Sequence, residues 1–328
     1  MNRDLPEKVV HGGKVRQFSQ ERGEKVVDFS ANLNPWPPAV PLDLPEQIVS
    51  CYPDDRYQVL KEMIAGRFHR PVEEIAVGNG SIELIRIFCL AVLSQGNRVR
   101  IRQPTFGEYE MSSRLAGAVP ARDGEAAAVG FLCNPNNPTG TLLSRRSVLA
   151  QRSGVKLLFV DEAFIELSDV CQSVADVRDP AVFVCRSLTK CFSVPGIRFG
   201  YGFGDPDLID RMETIRPPWS VNAIAEHYAI RAMGVFDELA QSRIRIQAER
   251  EWLVSALQDL PLKVHASDTN FLLLTFPCDV TTLCADLSRE GILVRDCHSF
   301  GLPDSIRIAV RTREENCQLL EAMGRCMP

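Results

Sequence analysis

The sequence predicts an α/β protein: a large domain built on a mainly parallel central sheet flanked by helices, and a smaller α+β domain. Three observations carry this. Between residues 45 and 222, short apolar runs alternate with helical stretches, the pattern of a parallel sheet with crossover helices. The runs "EIAVGNG", "NRVRIRQP", "AAAVGFLCNP", "VKLLFVDE" and "AVFVCRS" each end in polar or turn residues. From residue 223 onward, apolar residues at helical spacing give way to strand-like runs and a closing helix.

Taken in order, residues 1–44 read as an extended arm that belongs with the small domain. Its proline-rich "NPWPPAVPLDLP" suits a rigid, non-helical lead-in. Residues 45–222 read as the large domain. Residues 223–328 read as the small one. Helices are expected over "AIAEHYAIRAM" and "RIQAEREWLVSALQDL", strands at "NFLLLTF", "GILVRD" and "SIRIAV", and a last helix over "REENCQLLEAM".

The bulk numbers exclude several classes. The net charge is −5, without the basic surplus of a nucleic-acid binder. No apolar stretch approaches a membrane span, and "MNRDLPEKVVHGGK" lacks the apolar core of a signal peptide. A cytoplasmic location is the expectation. The eleven cysteines are scattered, with no C-x-x-C pair, so no metal site is expected. Cys89, Cys133 and Cys185 lie in apolar runs and read as buried free thiols.

In an open parallel sheet, ligands bind beyond the carboxyl ends of the strands. Four such ends carry unusual residues. In "VGNGSIEL", Gly80 and Ser81 offer backbone N–H groups at a helix start, an anion site. "NPNNPTG", from Asn134 to Gly140, turns many amides toward one place. In "FVDEAF", Asp161 follows an apolar run, and a near-buried carboxylate needs a cation or donors. In "RSLTKCFSVPGIRFG", Ser187, Lys190 and Arg198 follow a buried strand. The plain alternative for Lys190 is a lysine snorkelling from a strand end. Together these groups fit one ligand, pyridoxal phosphate. It offers an aldehyde to a lysine, a ring nitrogen to a carboxylate, and a phosphate to an anion pocket.

The motifs "NNPTG", "DEAF" and "SLTK…PGIRFG" resemble those of the fold-type I pyridoxal-phosphate enzymes, in the branch that includes the histidinol-phosphate aminotransferases. The likeness spans nearly the whole chain. "HGG", "DFSANLNP" and "PPWSVNA" resemble the threonine-phosphate decarboxylase family of cobalamin biosynthesis. That resemblance implies that Lys190 bonds the cofactor's aldehyde carbon and Asp161 pairs with its ring nitrogen. Asn137 is implied to donate to the phenolic oxygen, and Phe106 to stack on the ring. Ser187, Arg198, Gly80 and Ser81 would hold the phosphate. Tyr52, rather than Tyr57, would reach the cofactor phosphate of a neighbouring subunit, which implies a homodimer. Arg307 would clamp the substrate carboxylate and Arg295 its phosphate, with His11 and Asn34 closing over the substrate. The plain alternatives are core packing for Phe106, an edge position for Arg307, a surface ion pair for Arg295 and an unbound arm for His11. The remaining histidines, His298 included, read as surface or core.

The implied activity is decarboxylation of O-phospho-L-threonine, a small phosphorylated amino acid, with O-phospho-L-serine as a near variant. Histidinol-phosphate aminotransfer and a non-catalytic cofactor-binding regulator remain open. Two features depart from the aminotransferase pattern. Phe164 stands where those enzymes carry a tyrosine, and the segment before "NNPTG" is too short for a helix that relatives accommodate.

Overall fold

The computed structural model describes residues 6–13, 15, 18 and 26–327. Residues 1–5, on which part of the N-terminal reading falls, lie outside them. The arm is not extended throughout, since residues 15 and 18 are helical. Strand β1 (Val27–Asp28) follows.

Seven strands form the large sheet: β2 (Ile75–Gly78), β3 (Arg98–Ile101), β4 (Val119–Pro120), β5 (Ala127–Cys133), β6 (Val155–Asp161), β7 (Val182–Ser187) and β8 (Gly200–Phe203). Their spatial order is β2-β8-β7-β6-β5-β3-β4. Strand β8 runs antiparallel to both neighbours, and the other pairings are parallel. Side chains alternate between two cores, as strands buried on both faces require. Leu158, Val160, Val182 and Val184 enter one core. Val129, Phe131, Phe159 and Phe183 enter the other.

Two strands of this sheet escaped the sequence reading. "GYGF" of β8 carries two glycines, poor strand formers that pattern reading discounts. Their reason is close approach. A Cβ at Gly202 would lie 2.5 Å from Phe183 Cζ, and one at Gly200 would lie 2.5 Å from the Ser81 backbone nitrogen. The other, β4, has only two residues. Between β4 and β5, residues 121–126 form a turn and no helix.

Downstream, the helix Ala223–Gly234 is capped by Asn222, whose side chain accepts from Ala225 N. The helix Leu239–Leu257 follows. Strands β9 (Lys263–Val264) and β10 (Phe271–Thr275) begin a second sheet. "GILVRD" is not one strand: it divides at Val294 into β11 (Ile292–Leu293) and β12 (Arg295–Asp296). Strand β11 pairs in parallel with β1 of the arm. Strand β12 pairs with β13 (Ser305–Ala309) in the order β12-β13-β10-β9. The division places Arg295 directly opposite Arg307. The last helix, Arg313–Cys326, opens on a capping box of Thr312 and Glu315. Among the described residues no helix is long and apolar enough to cross a membrane.

Candidate active site

A cavity of about 310 Å³ opens beyond the ends of β2, β5, β6 and β7. Lys190 reaches it from the one-turn helix Leu188–Cys191, which follows β7 directly. The turn is pinned from the arm. Asn34 N donates to the Lys190 carbonyl at 3.0 Å, and Asn34 Nδ2 donates to that of Cys191 at 2.7 Å. Burial, then the charges of Arg307 and Arg198, pull the Lys190 amine down to about 8.

Asp161 ends β6 and is 3 % exposed. Tyr109 donates its hydroxyl to Oδ2 at 2.7 Å, and Ala163 N donates to Oδ1 at 2.9 Å. Burial raises the carboxyl to about 6 against the pull of these two donors. Such a group is poised for a cationic partner. Asn137 lies on the loop after β5, where Arg307 Nη1 donates to its Oδ1. Its Nδ2 is thereby left as the donor. Asn134 and Asn136 instead brace the loop, through Leu143 and through Thr105 and Pro104.

Ser81 begins the helix Ser81–Val92, whose dipole favours an anion there. Gly80, at φ 79°, stands just before it. A Cβ on Gly80 would lie 2.3 Å from Arg198 Nη2, so glycine is what lets the guanidinium close on the helix start. Arg198 itself takes φ 61°, a left-handed conformation that costs a side-chain-bearing residue about 1 kcal/mol or more. Gly200 pairs with both Gly78 and Ser187, which sets this cup beside the Lys190 turn. Ser187 Oγ accepts from Thr189 N and donates to the Phe199 carbonyl.

Arg295 and Arg307 are 5 % and 6 % exposed and directly opposite each other on β12 and β13. Like charges in that position repel. Among the described residues neither forms an ion pair, nor do Lys190 and Arg198. Arg307 Nη2 donates to the Ser30 carbonyl, and its Nε is buried without a partner. Burial lowers Arg307 to about 10. Arg295 Nη2 donates to the Val10 carbonyl at 2.8 Å and to Ser299 Oγ at 2.5 Å. His11 lines the same cavity, 3.0 Å from Glu108 Oε1, with its ring 5.9 Å from that of Phe106. Phe106 is in the wall, edge-on to Tyr109.

The structure thus brings His11, Ser81, Phe106, Asn137, Asp161, Ser187, Lys190, Arg198, Arg295 and Arg307 around one cavity, with Gly80 behind Arg198. One expectation needs correction. Asn34 does not face the cavity: both ends of its amide are engaged, Nδ2 by Cys191 O and Oδ1 by Trp36 N. The neighbouring Asn32 faces it instead, 1 % exposed, with neither amide atom hydrogen-bonded. Tyr52 does not reach this chain's cavity: it is 80 % exposed and packs on Trp219 at 4.5 Å. Tyr57 is buried, its hydroxyl bound to both backbone groups of Val221. Sequence reasoning also missed Tyr109, Glu108 and Ser299. The first two stand in "PTFGEY", beside Phe106, and that adjacency was the available signal.

The model of the aminotransferase class I and II family matches residues 25–323. The chain belongs to that family. Its members use pyridoxal 5′-phosphate. The donor set fits that group: an amine and a carboxylate from adjacent strand ends, a free amide donor, and a cup of Ser81, Ser187 and Arg198. The chain is 32% identical to the histidinol-phosphate aminotransferase of Symbiobacterium thermophilum, over 96% of this chain and 94% of that one. It is 34% identical to a protein provisionally named threonine-phosphate decarboxylase, from Caldanaerobacter subterraneus subsp. tengcongensis, over 95% of each. Histidinol-phosphate aminotransferase is the more frequent name among similar proteins. The solved histidinol-phosphate aminotransferase of Sinorhizobium meliloti, in complex with pyridoxal-5′-phosphate, shares the fold at a TM-score of 0.85. It is 23% identical and is covered over 94%, against 95% of this chain.

Proposed function

We propose that this protein decarboxylates O-phospho-L-threonine to (R)-1-amino-2-propanol O-2-phosphate and CO2, with pyridoxal 5′-phosphate as cofactor. The carrying observation is the opposed pair Arg295 and Arg307, buried and without carboxylate partners among the described residues. Two buried cations at one cavity call for a ligand with two anionic groups. A phosphorylated amino acid supplies both in one small molecule. The cavity, about 310 Å³, stands at the low end for ligand sites and must also admit the cofactor. That favours a four-carbon substrate over one bearing an imidazole.

The net reaction breaks the bond between Cα and the carboxyl carbon, releases CO2 and adds one proton to Cα. The cofactor supplies an electron sink for that bond when bound. The chain's residues choose the bond. Arg307 and Asn32 hold the carboxylate, while Arg295 and His11 hold the phosphate, and the two anchors set the rotation about Cα. Lys190, with its amine near 8, delivers the proton that Cα takes up once CO2 has left. Asp161 offers a carboxylate to the protonated ring nitrogen, and Asn137 Nδ2 donates to the phenolic oxygen. Ser81, Ser187 and Arg198 hold the cofactor's phosphate. Phe164 packs edge-on against Phe271 and offers no hydroxyl.

In a homodimer, Tyr52 would cross to the neighbouring subunit's site. Its exposed ring, packed on the exposed Trp219, supports that arrangement. O-phospho-L-serine differs from the proposed substrate by one methyl, which a pocket discriminates modestly. Histidinol-phosphate aminotransfer is the second reading, favoured by the names of the relatives. Incubation of the holoenzyme with O-phospho-L-threonine separates the two. Equal amounts of CO2 and amine phosphate support decarboxylation. Amino transfer between L-histidinol phosphate and 2-oxoglutarate, without CO2, overturns it.

A further inference from the structure

We infer that Glu108 is a positioning residue: it holds the His11 ring so that Nδ1 is presented to the substrate's phosphate. This rests on the function proposed above.

The Glu108 side chain is only 5 % exposed although it opens a helix, Glu108–Leu115. The arm covers it. Oε1 lies 3.0 Å from His11 Nε2, and Oε2 lies 3.5 Å from Arg86. An ionised carboxylate only accepts, so Nε2 carries the proton of this hydrogen bond. The bond to His11 is the largest cause holding the Glu108 carboxyl below its usual range, so it is ionised at neutral pH. Nδ1 is then the ring nitrogen left for the cavity that His11 lines. A histidine bonded through one nitrogen to a carboxylate is fixed in orientation.

The arm's backbone has its own anchors. Val10 O accepts from Arg295, and Gly13 N donates to Ser30 Oγ at 2.9 Å. A Cβ on Gly12 would lie 2.6 Å from the Ser30 carbonyl, so the arm lies flush there. These contacts place residues 10–13 but leave the His11 side chain 43 % exposed. Among the described residues, Glu108 is its hydrogen-bond partner. Without that carboxylate the ring is free to rotate toward water, while the cavity wall and the cofactor cup remain.

The test uses ¹⁵N-histidine holoenzyme and long-range ¹H–¹⁵N correlation. The chain has five histidines, and the signals lost in His11→Asn assign His11. The expected result is a protonated Nε2 in the wild type and an Nδ1 that shifts on addition of inorganic phosphate. In Glu108→Gln the phosphate response falls. KM for the phosphorylated substrate rises about 10- to 100-fold, with kcat within about twofold and the cofactor's absorbance unchanged. An unprotonated Nε2 in the wild type, or an unchanged KM in a folded Glu108→Gln, overturns the inference. Should no phosphorylated amino acid turn over, the functional reading fails by itself. The nitrogen spectra then still decide the role of Glu108, and the wild-type spectrum does so even if the variant does not fold.

Discussion

Removing the Tyr109 hydroxyl tests how Asp161 is kept a carboxylate. Tyr109 is fully buried and donates to Asp161 Oδ2 at 2.7 Å, and Tyr109→Phe deletes that donor with little change of shape. A hydrogen bond to a charged group contributes about 1.5–3 kcal/mol, equivalent to roughly one to two pKa units. The carboxyl, at about 6 with the donor present, therefore rises by that amount without it. A bound ring nitrogen lowers the value in both proteins, and the difference remains. Activity requires the ionised form, so it is lost as pH falls through this pKa, and a higher pKa moves the acid limb upward. The assay is kcat/KM for product formation against pH in both proteins. The variant's acid limb should lie one to two units higher, giving about 10- to 100-fold lower activity below it and convergence above. Coinciding limbs would refute the reasoning.

Four other outcomes follow from the same geometry. Lys190→Ala should fold normally yet lose the visible absorbance of covalently held cofactor; a persisting band would unseat the lysine. Because the free amine is the reactive form, cofactor capture by the apo protein should quicken about tenfold per pH unit and level off near 8. Stopped-flow mixing checks this, and a midpoint at the ordinary lysine value of 10.5 contradicts it. Gly200→Ala pushes a methyl to 2.5 Å from Ser81 N and should cost about 1–3 kcal/mol in urea unfolding while weakening cofactor retention. Arg186 forms ion pairs with Glu162 and Glu166, whose side chains are 0% and 6% exposed. Arg186→Met leaves both carboxylates without that partner and should cost about 3–5 kcal/mol, read as a lower urea midpoint with unchanged slope.

Much of the site was legible because its residues interrupt strong patterns. Asp161 and Lys190 follow apolar runs that a soluble surface would not need, and Asn137 follows another. Gly80 and Ser81 stand where a strand turns into a helix. Strand β8 was not legible, because its glycines answer to Phe183 and Ser81, which lie far away in sequence. Tyr109 was read past for a similar reason. In sequence it is one more aromatic residue after Phe106, and only the fold brings its hydroxyl to Asp161.

The two asparagines of "ANLNP" show where local pattern ends. Both are buried polar residues in a proline-rich arm, and local pattern does not separate them, although the family resemblance pointed to Asn34. One amide meets Cys191 O and Trp36 N, and the other meets no partner within the chain. The sequence by itself determined the α/β class, the strand ends that carry chemistry and the lysine, because burial and periodicity are properties of neighbouring residues. Only the tertiary structure decided that Arg295 faces Arg307, that Asn32 rather than Asn34 lines the cavity, and that Glu108 meets His11. Those are distances between segments up to a hundred or more residues apart, and they exist only once the sheets have assembled.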